Sequence, residues 1–316
     1  MVTVKDKKLT LFEVSNANGL FMTLSSYGAS LIELYKLEGS GKINLVAGYS
    51  NLENFYNDTN NEIMGGTLGR YARCIKFGKF KIEGEEYQLR TNENGHHFHG
   101  GDKGFHKKDW LSSFYSTEHS DIVCFSLFSP DGDQGYPGNV NVSVEYELTN
   151  NDEIIIRYFG KSDKSTLIGM SNHIFWSLGA ENSINNLQLR FNTDYYIQAD
   201  NQFIPSGQLI QVYGTEKDFT SIREIGNVAI DECFVSNDKR RPKIRLQNIK
   251  KNIRLDITSN QSCIAIYTGD NLSKKRSGIA IQPGPYPDAP NQFPGSGSIL
   301  SERKAYTNLF KAKFSF

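Results

Sequence analysis

Three of the chain's six histidines stand together in Asn94-Gly95-His96-His97-Phe98-His99-Gly100-Gly101. An imidazole donates, accepts or exchanges protons near neutral pH. The Gly100-Gly101 pair lets backbone come close to a bound molecule. Two kinds of chemistry follow from this segment. One is a loop held against a polar ligand. The other is a metal site, because His97 and His99 share a face of an extended chain. No matching Cys, His or carboxylate spacing occurs elsewhere, so no metal is expected.

A fourth histidine follows Ser171-Asn172 and precedes Ile174-Phe175-Trp176. Polar Ser-Asn-His173 beside aromatic rings suits a sugar, which needs donors next to an apolar wall. A satisfied histidine at a strand end is the alternative. Asp131-Gly132-Asp133 lacks the third acidic position and distal Glu of a calcium loop. A tight loop leading into the strand at Val140 is expected instead. The apolar run Gly278-Ile279-Ala280-Ile281 meets Gln282 and a loop stiffened by Pro283, Pro285 and Pro287. No phosphate-binding glycine loop, dinucleotide fingerprint or G-x-S-x-G elbow is present.

These groups need a scaffold, and alternation supplies it. Val2-Thr3-Val4 and Leu9-Thr10-Leu11-Phe12 read as opening strands. Lys79–Leu89 reads as strand, turn at Gly84, strand. Asn139–Leu148 alternates, Thr149-Asn150-Asn151-Asp152 has turn chemistry, and Glu153–Tyr158 returns as a hairpin partner. Arg254–Ile257 and Cys263–Tyr267 suggest a second pair, and Phe310–Phe316 alternates to the end. Helical periodicity is weak. One short helix is expected after Ser50, with Ser50 as cap and Glu53 three residues on. Ser236–Lys243 reads as a charged, solvated loop. No repeat or linker divides residues 1–316, so a single all-β sandwich domain is expected.

Composition narrows the function. The 316 residues carry 35 Lys+Arg against 35 Asp+Glu, which argues against a nucleic-acid partner. The 20 Phe and 16 Tyr suit a β core or a stacking site. No apolar run reaches membrane-spanning length, and the charged start lacks a signal peptide's apolar stretch. A cytoplasmic protein with no membrane partner is expected. Cys74, Cys124, Cys233 and Cys263 form no CxxC pair and read as free thiols.

In order along the chain stand Gly65-Gly66-Thr67-Leu68-Gly69-Arg70-Tyr71-Ala72, Phe98-His99-Gly100-Gly101 and Ser129-Pro130-Asp131-Gly132 with Gly135-Tyr136-Pro137-Gly138. Ser171-Asn172-His173, Asp231-Glu232-Cys233-Phe234, Tyr267-Thr268-Gly269 and Tyr286-Pro287-Asp288-Ala289-Pro290-Asn291 follow. Together these resemble the aldose 1-epimerase (galactose mutarotase) family over nearly the whole chain. The resemblance implies a β-supersandwich with a polar cleft, a free hexose such as galactose or glucose as ligand, no cofactor, and a monomer or homodimer. It implies that a base removes the C1 hydroxyl proton while an acid protonates the ring oxygen. The ring then opens, C1–C2 rotates, and the ring closes on the other face.

Carried over by position, His173 matches the general acid and His99 a sugar-binding histidine. Asp231 matches the carboxylate on the sugar hydroxyls, and Arg70 an arginine of the pocket. Asn172 belongs to the same motif, and Trp176 or Phe175 would supply the apolar wall. Three positions depart from the family pattern. Gln282 stands where the general-base Glu is expected. Ala72-Arg73-Cys74 replaces Ala-Asn-Arg, so the second arginine is lost or displaced. Glu232 replaces a histidine. Three readings follow: a mutarotase in which His99, Glu232 or water serves as base; a sugar-binding protein without turnover; or an isomerase acting on a different sugar derivative.

Overall fold

The computed structural model describes residues 2–4, 7–39, 41–236 and 243–316. The alternation seen in the sequence becomes alternation of burial. Val140–Thr149 buries every second residue, and it pairs antiparallel with Glu153–Ser162. Among the described residues, nine strands form the largest sheet. Its centre runs Ser120–Ser129, Val140–Thr149, Glu153–Ser162, Tyr306–Ser315 and Ile253–Ser259.

A second sheet of seven strands runs Pro205–Gln211, Tyr195–Ala199, Asp231–Val235, Cys263–Tyr267, Ile279–Gly284, Phe175–Trp176 and Val46–Ala47. One apolar core joins the two sheets. Val144, Tyr146, Ile154 and Ile156 come from the first; Phe234, Ile264, Ile266, Ile279, Ile281 and Trp176 come from the second. Each buried Ile adds about 1.5–3 kcal/mol by leaving water. Side chains alternate across a strand. Burying these residues therefore turns Asp231, Cys233, Ala265, Tyr267, Ala280, Gln282 and Phe175 to the opposite face. That face carries the candidate site.

A third, four-stranded sheet from Leu11–Ser15 to Gly41–Asn44 closes one flank. Lys79–Ile82 and Glu85–Gln88 form the expected hairpin, with Glu83 and Gly84 both at positive φ in its two-residue turn. Among the described residues no helix is long and apolar enough to cross a membrane.

Three expectations need correction or a limit. Arg254–Ile257 and Cys263–Tyr267 do not pair with each other. Ile253–Ser259 pairs with Lys243–Asn248 and Tyr306–Ser315, whereas Cys263–Tyr267 pairs with Asp231–Val235 and Ile279–Gly284. The intervening Asn260–Ser262 carries the chain from one sheet to the other, which local periodicity cannot distinguish from a hairpin. The short helix, Leu52–Asn57, is capped by Asn51, whose side chain accepts the Asn54 N–H at 2.8 Å; Ser50 instead accepts the Asn54 side chain. Of the charged loop at Ser236–Lys243, residues 237–242 lie outside the described residues.

Candidate active site

The histidine segment is divided by its backbone. His97 lies on the strand His97–Phe98, paired with Cys74–Ile75. Its Nδ1 meets the Arg90 carbonyl at 2.7 Å and its Nε2 the Tyr136 hydroxyl at 2.6 Å. Both ring nitrogens are thus committed to holding the fold. His96 accepts the Phe77 N–H and contacts Gln202. His99 has φ +49 and Gly100 φ +90, so the chain leaves the strand there. Only His99 turns toward the face that carries Asp231 and Gln282. Among the described residues no group of three or more His, Cys, Asp or Glu is placed to hold a metal.

Arg73 binds His99 from two sides. Its N–H donates to His99 Nδ1 at 3.2 Å, and its carbonyl accepts the His99 N–H at 3.1 Å. Because Nδ1 accepts, the neutral ring carries its proton on Nε2, which makes His99 a donor to the cleft rather than a base. Arg73 itself has φ +86, a conformation that is strained for a residue with a side chain. Its guanidinium donates to the Gln282 carbonyl at 3.2 Å. The field of Arg73 acts on His99, His173 and Asp231. Arg73, one position before the arginine of the family pattern, thus places a guanidinium beside Gln282, His99, His173 and Asp231. Its signal was present in Ala72-Arg73-Cys74, but spacing alone cannot show where a side chain lands.

His173 follows the strand Ser171–Asn172 and is stitched to Gly65-Gly66 through both its N–H and its carbonyl. Its ring lies 4.9 Å from Phe175 and 5.5 Å from His99, nearly perpendicular to the latter. Burial pushes the His173 imidazole down to about 3, with Arg73 adding to the shift. His99 is pushed well below its usual value by burial, then by His173 and Arg73. Both rings are neutral at pH 7.

Asp231 behaves oppositely. It opens to solvent at the cleft yet is surrounded by protein, and desolvation raises its carboxyl to about 7 against the pull of Arg73. Gln282 is 1% exposed and its Oε1 has no partner. A cavity of about 350 Å³ lies beside His99 and is also lined by Asn61, Asn92 and Asp102; Arg73, His173, Asp231 and Gln282 do not line it. Another cavity, about 910 Å³, lies past Val46–Ala47 and contains none of these histidines.

The aldose 1-epimerase family model matches residues 10–310. The chain belongs to the aldose 1-epimerase family. The Haemophilus influenzae aldose 1-epimerase is 31% identical, with 96% of this chain and 95% of that protein aligned. Human galactose mutarotase is 28% identical over 94% of this chain and 91% of its own. The crystal structure of galactose 1-epimerase from Lactobacillus acidophilus NCFM superposes with a TM-score of 0.90, at 26% identity, over 100% of this chain and 97% of that one. The protein is an isomerase-type enzyme with a galactose-mutarotase-like fold.

Within this fold several expected site residues stand elsewhere. Trp176 is fully buried in the core, stacked on Phe310 at 6.2 Å. Alternation turns Phe175 to the cleft and Trp176 away from it. Arg70 is 2% exposed and faces the loop 129–138, not the cleft. Its guanidinium donates to the carbonyls of Ser129, Pro130, Pro137 and Gly138 and to the hydroxyls of Ser129 and Thr166. Asn172 is buried beside Tyr158, with Oδ1 3.3 Å from the Ile174 N–H. Glu232 lies on the core side of its strand, ion-paired with Lys217, and is no candidate base for the cleft. The Asp131–Asp133 turn is structural: Asp131 accepts the Gly138 N–H, and Asp133 accepts the Ser129 hydroxyl and pairs with Lys108.

The buried imidazoles are expected to make the protein acid-labile. His106 and His173 are held down to about 3, His97 to about 4, and His99 well below its usual value, burial being the first cause in each. In the unfolded chain each titrates near 6.5. The unfolded state then binds more protons between those values, so stability is full above pH 6.5 and lost as pH falls toward 3. Each group steepens the loss by up to about 1.4 kcal/mol per pH unit. Asp231 opposes this as a single group, since its raised carboxyl favours the folded state at lower pH. Calorimetry should show Tm falling steadily from pH 6.5 to 4. A flat Tm over that window would show that these rings are charged in the folded protein.

Proposed function

We propose that this protein interconverts the α and β anomers of a free hexose of the galactose or glucose type. The observation that carries the reading is the convergence of Arg73, His99, His173, Asp231 and Gln282 around one open face of the seven-stranded sheet. A carboxyl near its midpoint at neutral pH both donates to and accepts from sugar hydroxyls, as Asp231 requires. His99 donates through Nε2 toward the ring oxygen. The neutral His173 ring gives its N–H proton to that oxygen as C1–O5 breaks while its other nitrogen takes up the proton that water relays from the C1 hydroxyl, and ring closure reverses both transfers. Phe175 offers the apolar wall. Gln282 accepts a hydrogen bond from the C1 hydroxyl at Oε1, which orients the hydroxyl and leaves its proton to water. The free thiols suit a reducing cytoplasm.

A second reading is favoured by one observation: residue 282 carries a carboxamide. It is a sugar-binding protein that retains the cleft and turns over slowly. Removal of a general base costs about 10²–10⁴-fold in rate and leaves binding groups in place. Polarimetry of freshly dissolved α-D-galactose and α-D-glucose separates the two. The mutarotase reading expects faster approach to equilibrium rotation with the protein than without it. It further expects His173→Ala to remove that acceleration. Sugar binding with no acceleration in the unmodified protein supports the second reading.

A further inference from the structure

Three of the four thiols gather under the cleft. Cys233 and Cys263 pack in one small cluster with Ile197, Val235 and Ala265, and Cys74 stands close to Cys233. We propose that Cys233 and Cys263 are an oxidation site, at which a hydroperoxide entering the cleft converts the two thiols to a disulfide and disables sugar binding.

The geometry rests on strand register. Cys233 lies opposite Ala265, and Cys263 opposite Val235, on adjacent antiparallel strands. The two cysteines are thus diagonal neighbours on one face. Ala265 in turn lies opposite Gln282, so Cys233, Ala265 and Gln282 form one row across the cleft floor. Asp231 is the next residue along on the same face as Cys233. Cys233 is 9% exposed and Cys263 1%, so a small oxidant reaches Cys233 first.

The surroundings select between the thiols. The neighbouring Cys263 sulfhydryl and then the positive charge of Arg73 hold the Cys233 thiol down, while burial pushes Cys263 up. Cys74 contacts the Phe203 carbonyl and is pushed up by burial. Cys124 lies in the nine-stranded sheet beside Glu145 and is likewise raised. The thiolate is the reactive form, and Cys233, the more exposed of the pair, is the nucleophile.

The Cys233 thiolate attacks the distal peroxide oxygen. S–O forms, O–O breaks, and the leaving alkoxide takes a proton to become an alcohol, or water from hydrogen peroxide. The Cys263 sulfur then attacks the sulfenic sulfur. S–S forms, S–O breaks, and hydroxide leaves with the thiol proton as water. Two thiols lose two electrons in all, and the peroxide gains them. Diagonal neighbours stand about 7–8 Å apart at Cα, just beyond the ~4.4–6.8 Å of relaxed disulfides. Closing the bond draws the two strands together and shifts Asp231 and the row holding Gln282. A bond formed against such resistance is readily reduced.

The folded protein is treated with hydrogen peroxide, denatured in iodoacetamide and mapped by mass spectrometry. The expected product is lighter by two hydrogens, with Cys233 linked to Cys263 and with Cys74 and Cys124 alkylated. Cys263→Ser should stop at a sulfenic acid on Cys233, heavier by one oxygen. Full alkylation of both cysteines, or earlier oxidation of Cys74 or Cys124, overturns the assignment. This readout is independent of sugar chemistry. The binding arm rests on the proposed function: galactose affinity, measured by calorimetry, should fall at least about tenfold on oxidation and return with dithiothreitol. A disulfide that leaves affinity unchanged overturns the coupling to the cleft. No galactose binding by the reduced protein counts against the proposed function and leaves the thiol assignment standing.

Discussion

Gln282→Glu is expected to raise the rate of hexose anomerisation by about 10²–10⁴-fold, the usual contribution of a positioned general base. The site is prepared for the change. Gln282 is almost fully buried, and its Oε1 has no partner to lose. A carboxylate differs from a carboxamide by one group of equal size, so packing is kept. Burial alone would raise the new carboxyl and make it a sluggish base. The Arg73 guanidinium, already hydrogen-bonded to the carbonyl of residue 282, opposes that shift. Burial and the Arg73 charge thus pull the new carboxyl in opposite directions, and a base is most effective when it titrates near the working pH. Polarimetry of the variant beside the unmodified protein measures the gain. No gain, with sugar affinity unchanged, would mean that the anomeric hydroxyl does not lie against residue 282. The substrate would then sit differently in the cleft, in line with an altered sugar.

Arg70→Ala is expected to cost at least about 3 kcal/mol of stability, enough to impair folding at 37 °C. The side chain is 2% exposed and serves the carbonyls of Ser129, Pro130, Pro137 and Gly138. Ser129 ends a strand paired with Val140, and the Pro130 carbonyl also accepts the Asp133 N–H, whereas the Pro137 and Gly138 carbonyls lie in the loop and are served by Arg70. Each buried acceptor left unsatisfied costs roughly 1–3 kcal/mol, and a large cavity is added. Arg70→Lys should recover only part of the loss, since one ammonium cannot reach both sides of the loop. Urea unfolding measures the effect. A variant that keeps its stability but loses sugar affinity would return Arg70 to the cleft and contradict its place beneath the loop.

Arg70 and Arg73 show why type and spacing do not assign a role. Both are arginines of one short segment, and the sequence offered Arg70 for the pocket. Only folding shows that Arg70 points into the loop 129–138, whereas Arg73, at φ +86, swings its guanidinium to residue 282. A positive φ at a residue that is not glycine carries no local sequence signal. It is imposed by the tertiary contacts that surround it. The same holds for His97 and His99. Alternation predicts a shared face, and the left-handed turn at His99 separates them.

Trp176 and Phe175 show the reverse case. The sequence identified an aromatic pair next to His173, and strand alternation guarantees that one ring faces the cleft and the other the core. Which is which depends on the register of Phe175 with Ala280 and of Trp176 with Ile279. Register is a long-range property, set by burying one whole face of the sheet. The partner of Cys263–Tyr267 was hidden for the same reason, because alternation identifies a strand but not its neighbour.

What the sequence by itself determined is considerable: an all-β chain, the hairpin at Val140–Ser162, the family with its fold, the histidines His99 and His173, and the carboxamide at Gln282. These depend on residue identity and short-range pattern, which the chain states directly. The tertiary structure alone decided which arginine meets the cleft, that Glu232 is spent on Lys217, that Trp176 is core, and that Cys233 and Cys263 lie side by side. Each of those depends on strands distant in sequence being brought into register, and that register is fixed by burial of the core as a whole.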